Sequence, residues 1–278
     1  MAYENFIPTV EARGLMRELE KALVFAEDCN REYEGDVKQK GDSVRILGVG
    51  KPTITRTNNK NITLGAAETI EDTSVTLLID QIAHYNYKID DIDKRQAVGG
   101  VMDAIRSETA IELADVMDQF IADLAKSPEA VFYTPTATTV TEANILETVD
   151  GVLQKLYENN VKPADGNIVL TVPPWFYMMM KRAYVDLDTN NSGMIKNGQV
   201  GKYGNAIVKM SNNVAVGANN VSLIQVKTKK AIAFVNPMNH VEAYRPENGF
   251  SDAVKGFILF GGKIVRPKEM IVLNCNHA

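Results

Sequence analysis

Residues 240–274 read HVEAYRPENGFSDAVKGFILFGGKIVRPKEMIVLN. Aromatic and β-branched residues dominate the stretch, and Gly249, Gly256, Gly261 and Gly262 punctuate it. Short runs of this composition predict strands, with the glycines as breaks. The stretch closes a strand-rich second half. AIVKMSNNV (206–214), VSLIQVK (221–227) and AIAFVN (231–236) read as short strands, and IVLTVPP (168–174) as a buried one. The prolines of the last run turn the chain into WFYMMMKRAY (175–184), a predicted helix with the methionines in its core face. Between them, residues 186–205 are rich in Gly, Asn and Asp and read as a long loop.

The first half carries the helices. Over residues 9–28, Leu15, Leu19, Ala22, Leu23 and Ala26 recur at helical spacing. The strongest helical pattern covers residues 94–126, where Met102, Ile105, Leu113, Val116, Met117, Phe120, Ile121 and Leu124 form the stripe and Pro128 follows. A second helix is predicted from Thr139 to Asn160, with Thr139 and Glu142 spaced as a capping box. Residues 43–57 and 74–90 read as strands. In the second of these, Val75, Leu77, Ile79, Tyr85, Tyr87 and Ile89 share one parity and Thr76, His84, Asn86, Lys88 and Asp90 the other. The polar segment between them makes the pair a two-stranded ribbon with a loose tip. A lone hairpin is marginal in water, so this ribbon requires a partner surface.

The totals fit a globular protein: 278 residues, 45% hydrophobic, 23% charged. The net charge of -5 gives no overall basic character of the kind that draws nucleic acid or anionic lipid. Cys29 and Cys275, near opposite ends, are no disulfide framework and point to a reducing compartment. The start, MAYENFIPTV, has no basic-then-apolar signal pattern, and no apolar run approaches the ~20 residues of a membrane span.

Motifs of catalysis fail on inspection. RILGVGKPTIT (45–55) suggests a phosphate loop, but Arg45 stands where the first glycine belongs, and Pro52 forbids the helix that would receive the phosphate. In DLDTNNSG (186–193), Asp186, Asp188 and Asn190 match the first calcium ligands of an EF-hand. Asn191 replaces the turn glycine, however, and Asn197 the bidentate Glu. The acids of IDDID (89–93) suit a strand-to-helix junction; a scattered catalytic site around Asp90, Asp91 and Asp93 is the remote alternative. His84, His240 and His277 lack ligand spacing, and neither cysteine has a His or CxxC partner. No enzyme, cofactor or metal is expected.

The decisive signal is a resemblance. Val241, Glu242, Tyr244, Arg245 and Pro246, then Gly256, Gly261, Lys263, Val265, Arg266 and Pro267, follow a pattern similar to the closing segment of tailed-phage major capsid (coat) proteins of the Hong Kong 97-type fold. NGQVGKYGNAIVKMSNNV (197–214) resembles the glycine-bearing loop and strand of that family, with Asn205-Ala206 where many relatives carry an aromatic. The opening NFIPTVEARGLMRELEKALVFA is similar to its N-terminal segment.

The resemblance implies an α+β fold with an N-terminal arm (1–34), an extended β-hairpin loop (35–88), a peripheral domain with a long spine helix (89–135), an axial domain (136–235) and C-terminal peripheral strands (236–278). It implies a structural protein, without enzymatic activity or cofactor, that self-assembles into hexamers and pentamers of an icosahedral virion shell. That shell would enclose phage or prophage double-stranded DNA, contacted non-specifically, and be built in the bacterial cytoplasm with a portal protein and no membrane. The arm-like sequence begins at once, so a separate scaffolding protein is expected. An encapsulin-like, cargo-storing shell is the alternative on the same fold. Some members join a lysine to an asparagine covalently; Lys51, Lys60, Asn236 and Asn239 are present, but cross-linking is not expected from presence alone. In such a shell the ribbon lies on a neighbouring copy, and Arg45, Lys51, Arg56 and Lys60 are its candidate inter-subunit contacts.

Overall fold

The computed structural model describes residues 19, 23–33, 43–49, 54, 56, 72–90, 101–163, 168–183, 199–247 and 251–277. In chain order the strands are β1 (Ser43–Val49), β2 (Asp72–Leu78), β3 (Gln81–Asp90), β4 (Val131–Phe132), β5 (Thr138–Val140), β6 (Ile168–Val172), β7 (Gln199–Tyr203), β8 (Ala206–Met210), β9 (Ala215–Val216), β10 (Ser222–Thr228), β11 (Ile232–Tyr244), β12 (Ser251–Ile264) and β13 (Met270–His277). The α-helices are α1 (Val101–Asp123), α2 (Ile145–Glu158) and α3 (Pro174–Ala183). The α+β class expected from the sequence is the class observed.

Three sheets organise the chain. The largest runs β4-β13-β10-β6-β8-β7, with β5 on β13 and β9 on β10. Its central strands β6 and β10 are buried at every position; β6 (IVLTV) reads as a near-continuous apolar run, whereas β10 (SLIQVKT) also buries Ser222, Gln225, Lys227 and Thr228. A second sheet, β11-β12-β3, holds β12 between two antiparallel partners. The third is the pair β1-β2.

The spine helix α1 buries Ala110, Leu113, Ala114, Met117, Ile121 and Ala122, a stripe of helical period. Gln225 of β10 donates to the carbonyls of Ile121 and Ala122 (2.9 and 3.0 Å), fixing the end of α1 to the large sheet. Phe120 meets Phe260 of β12 edge-on at 5.4 Å, tying α1 to the second sheet as well. Of the predicted stripe, Leu113, Met117 and Ile121 are buried and Ile105, Phe120 and Leu124 partly so, whereas Val116 is 45% exposed; the Met102 side chain is outside what the structure describes.

Several expectations are corrected. The run 74–90 is two strands, not one. β2 pairs with β1, whereas β3 joins the body sheet against Ser251–Phe260. Strand parity is the same in both halves, so periodicity alone could not reveal the break at Ile79–Asp80. The expected hairpin of 35–88 therefore ends near Leu78, and residues 81–88 belong to the body. β13, grouped by sequence with the C-terminal strands of 236–278, instead lies in the large sheet beside β10. Part of the expected loop 186–205 is strand β7. Gly256, Gly261 and Gly262 do not break the chain; they lie within β12, which runs from Ser251 to Ile264.

The second helix begins at Ile145, six residues later than predicted, because Thr138–Val140 is drawn into β5 beside β13. Asn144 organises this start: its side-chain carbonyl accepts the Thr141 N–H (2.7 Å) and its amide donates to the Thr139 carbonyl (3.0 Å). Glu142 instead pairs with Arg182 on the surface. Replacing Asn144 by Ala removes its two bonds to the preceding turn and should cost about 1 kcal/mol, and Glu142→Ala between about 0 and 1; urea unfolding of the two variants distinguishes this junction from a capping box.

Candidate assembly surface

The ribbon β1-β2 has two unlike faces. Register pairs Val44 with Leu77 and Ile46 with Val75 on one, and Ser43 with Leu78 and Arg45 with Thr76 on the other. Leu77 and Ile46 are buried in a small core with Ile79, Ala233, Val235 and Leu259, which seats the ribbon's root on the body. The opposite face is open, and Leu78 is 56% exposed. Among the described residues, neither β1 nor β2 pairs with any further strand, so each keeps an outer row of backbone donors and acceptors.

Of the four cations singled out in the sequence, Arg45 lies on this open face and Arg56 is exposed beyond it. Lys51 and Lys60 lie outside the described residues, as do Asp91, Asp93 and the EF-hand-like stretch 186–197. Asp90 closes β3. His84 occupies an exposed strand position, and the two cysteines are free and buried. Burial pushes the Cys275 thiol up to about 12, which makes it an inert core residue. Met179 and Met180 are core, as expected, whereas Met178 is half exposed. Among the described residues no three His, Cys, Asp or Glu side chains cluster as a metal site, and no helix is long and apolar enough to cross a membrane.

The outward face of α1 complements the ribbon in charge. It presents Glu108, Glu112 and Asp115, with Ile111 and Val116 each 45% exposed among them.

Beneath α1 lies a buried network that the sequence reading missed. Asp118, 1% exposed, accepts the backbone N–H groups of Val24 (2.7 Å), Phe25 (3.0 Å) and Ala26 (3.0 Å). Lys209 of β8 lies 2.6 Å from Asp28 and 2.7 Å from Glu27. Burial alone would lower the Lys209 pKa, but these two carboxylates outweigh it and hold the ammonium above its ordinary value. Lys227 of β10, fully buried, donates to the Asp28 carbonyl (3.0 Å) and reaches Cys29 Sγ (3.1 Å). The N-terminal segment is thus clamped to α1, β8 and β10 by side chains from three elements. The signal was present: Asp118 sits four residues after Ala114 and three before Ile121, inside the apolar stripe, where an unpaired carboxylate would be costly.

No family model and no curated protein sequence matches the chain. Solved structures do. One from Mycobacterium phage Che8 is similar at 28% identity and a TM-score of 0.70, with 91% of each chain covered. The capsid structure of cyanophage P-SCSP1u follows at 17% identity and 0.68, covering 93% of this chain and 89% of that one. The virus-like particle from Pyrococcus furiosus aligns at 12% identity and 0.62, covering 98% and 100%.

The fold is therefore that of a capsid subunit. It is the Hong Kong 97-type capsid fold, and the likeness to tailed-phage coat proteins read from residues 240–274 extends over about nine-tenths of the chain.

Proposed function

We propose that the chain is the major shell subunit of a tailed-phage or prophage virion. On this reading it assembles into hexamers and pentamers of an icosahedral shell around double-stranded DNA, in the bacterial cytoplasm, with a separate scaffolding protein and a portal. The observation that carries the reading is the ribbon, seated on its own body by Ile46, Leu77 and Ile79 yet, among the described residues, open along its other face and edges. A second copy supplies what is missing. Arg45 and Arg56 lie toward acids such as Glu108, Glu112 and Asp115 on the neighbour's spine helix, and Leu78 finds apolar cover there; Lys51 and Lys60 are further candidates from the sequence alone. The axial role of residues 136–235, around the local symmetry axes, belongs to the same proposal. Each contact is weak, but closure brings the remaining interfaces together at high effective concentration.

Negative-stain microscopy of the purified chain, with and without its scaffold, tests the reading. Closed shells or capsomers support it; a persistent monomer under all assembly conditions overturns it. Shells filled with protein cargo instead of DNA move the assignment to a storage compartment.

The ribbon makes a sharper prediction. In Arg45→Glu/Arg56→Glu, both changes are at exposed positions, so subunit stability should shift by no more than about 0.5 kcal/mol. Losing ~0.7 kcal/mol at each of two charge pairs weakens one subunit contact about tenfold. Sedimentation should show intact, folded subunits and a steep loss of shells.

A further inference from the structure

We propose that a basic cleft at one end of the large sheet is a binding site for a phosphate group. The cleft holds about 220 Å³ and is walled by the chain after α2, the turn between β10 and β11, and the turn between β12 and β13. Four cations line it, Lys162, Lys229, Lys230 and Arg266, against a single carboxylate, Glu269.

That carboxylate is already engaged. It accepts from Thr228 Oγ1 (2.6 Å) and from Arg266 (2.9 Å), which also fixes the guanidinium at the rim. Lys229 is 3.5 Å from Asp28, a carboxylate that Lys209 approaches more closely at 2.6 Å. Lys162 and Lys230 have no carboxylate within ion-pair distance among the described residues. At the end of α2 the carbonyls of Lys155, Leu156 and Tyr157 accept N–H groups from Asn159, Asn160 and Val161, which closes the helix beside the cleft.

The walls are held in place. Asn159 donates to the Lys268 carbonyl (2.9 Å), and the N–H groups of Val265 and Arg266 both reach the Ala231 carbonyl (2.9 and 3.1 Å). An excess of cations on a stiff concave surface, in a chain of net charge -5, suits a compact multivalent anion. Phosphate fits better than a lone carboxylate, since it offers more acceptor oxygens to several donors at once. Two sources share that chemistry: the backbone of nucleic acid held inside the shell, which rests on the function proposed above, and a free phosphate anion, which does not.

The test measures binding of a 20-base-pair DNA duplex, of inorganic pyrophosphate and of poly-glutamate to the purified chain across a salt series. Lys162→Glu/Lys230→Glu is compared with Lys181→Glu, a charge reversal on α3 away from the cleft. The cleft variant should lose at least tenfold in affinity for either or both probes while Lys181→Glu stays near the parent. If the duplex is the ligand, losing two phosphate contacts lowers the slope of log affinity against log salt by about 1.8. Duplex binding displaced by pyrophosphate assigns both sources to one cleft; pyrophosphate binding alone assigns the free anion. The proposal is overturned if neither probe distinguishes the cleft variant from the parent, or if only poly-glutamate binds, which would make the cleft a dock for an acidic protein segment. Microscopy of the same preparations scores shell formation separately, so failure of the cleft and failure of the capsid reading are told apart.

Discussion

Gly261→Val will unfold at a markedly lower temperature than the parent, although Gly201→Ala, in the same chain, will not. Gly261 lies inside β12 opposite Val235. A Cβ built on it meets the backbone of the chain crossing over it: the Leu78 carbonyl oxygen, then Ile79 Cα at 3.0 Å and Leu78 C at 3.2 Å. Those atoms cannot rotate away as a side-chain tip would. They belong to the link between β2 and β3, where Leu77 and Ile79 enter the small core with Val235 and Leu259. Any side chain at 261 must lift that link and open the core. Overpacking of this kind costs about 3 kcal/mol or more, which in a chain of this size lowers Tm by roughly 6–12 °C. A Cβ on Gly201 meets nothing within 4 Å, so its alanine variant is the matched control. The link also sets the direction in which the ribbon leaves the body. Gly261→Val should therefore fail in assembly at temperatures where its subunits are still folded, and sedimentation alongside calorimetry separates the two effects.

The same glycine shows how far sequence reading goes. Gly256, Gly261 and Gly262 stand out in the sequence and invite assignment as breaks. Their real use is close approach. The Tyr85 ring and the His240 carbonyl crowd Gly256, and backbone crowds Gly261, while the strand continues unbroken. Which of the two uses applies depends on neighbours from other strands, Tyr85 and His240 for Gly256 and the Leu78–Ile79 link for Gly261, and no local pattern carries that information. Local patterns did carry the rest. The alternation across Val75–Leu77 and Ala83–Tyr87 sorted covered from open side chains correctly, because strand period is local. Where that alternation changes partner, from β1 to β12, was invisible since parity survives the bend. The helix start misread at Thr139 has the same origin, a tertiary contact with β13 overriding a local cap. Arg45 could be placed on the open face of the ribbon by parity; under α1, Asp118 was legible as a carboxylate inside an apolar stripe, but its backbone partners and the burial of Lys209 and Lys227 were not.

That anchor supports the last prediction. Asp118→Ala removes the acceptor for three backbone N–H groups, those of Val24, Phe25 and Ala26. Buried donors left without partners cost about 1–3 kcal/mol each, with incomplete additivity, so a loss of roughly 3–5 kcal/mol is expected. Asp118→Asn should lose less, because one oxygen remains to accept. The pair also isolates a pH effect. Burial raises the Asp118 pKa from 3.8 to about 6, against the lowering action of the three N–H bonds and of the Lys227 charge.

A carboxyl whose folded pKa lies above its unfolded value binds more protons when folded, so its contribution to stability is complete below about pH 4 and declines as pH rises through about 6. The parent should therefore lose stability relative to Asp118→Asn between pH 4 and 7, by up to about 3 kcal/mol. Other ionisable groups are common to both proteins and cancel in the difference. Urea unfolding of both proteins at half-unit steps measures it. A difference that is flat across that range would mean that the Asp118 pKa is not raised, its three N–H bonds at least balancing the cost of burial. Extending the series to pH 2 separates the two cases: a parent that gains on Asp118→Asn between pH 2 and 4 holds the N-terminal segment by a carboxylate whose pKa lies below the ordinary value and which is ionised throughout the higher range.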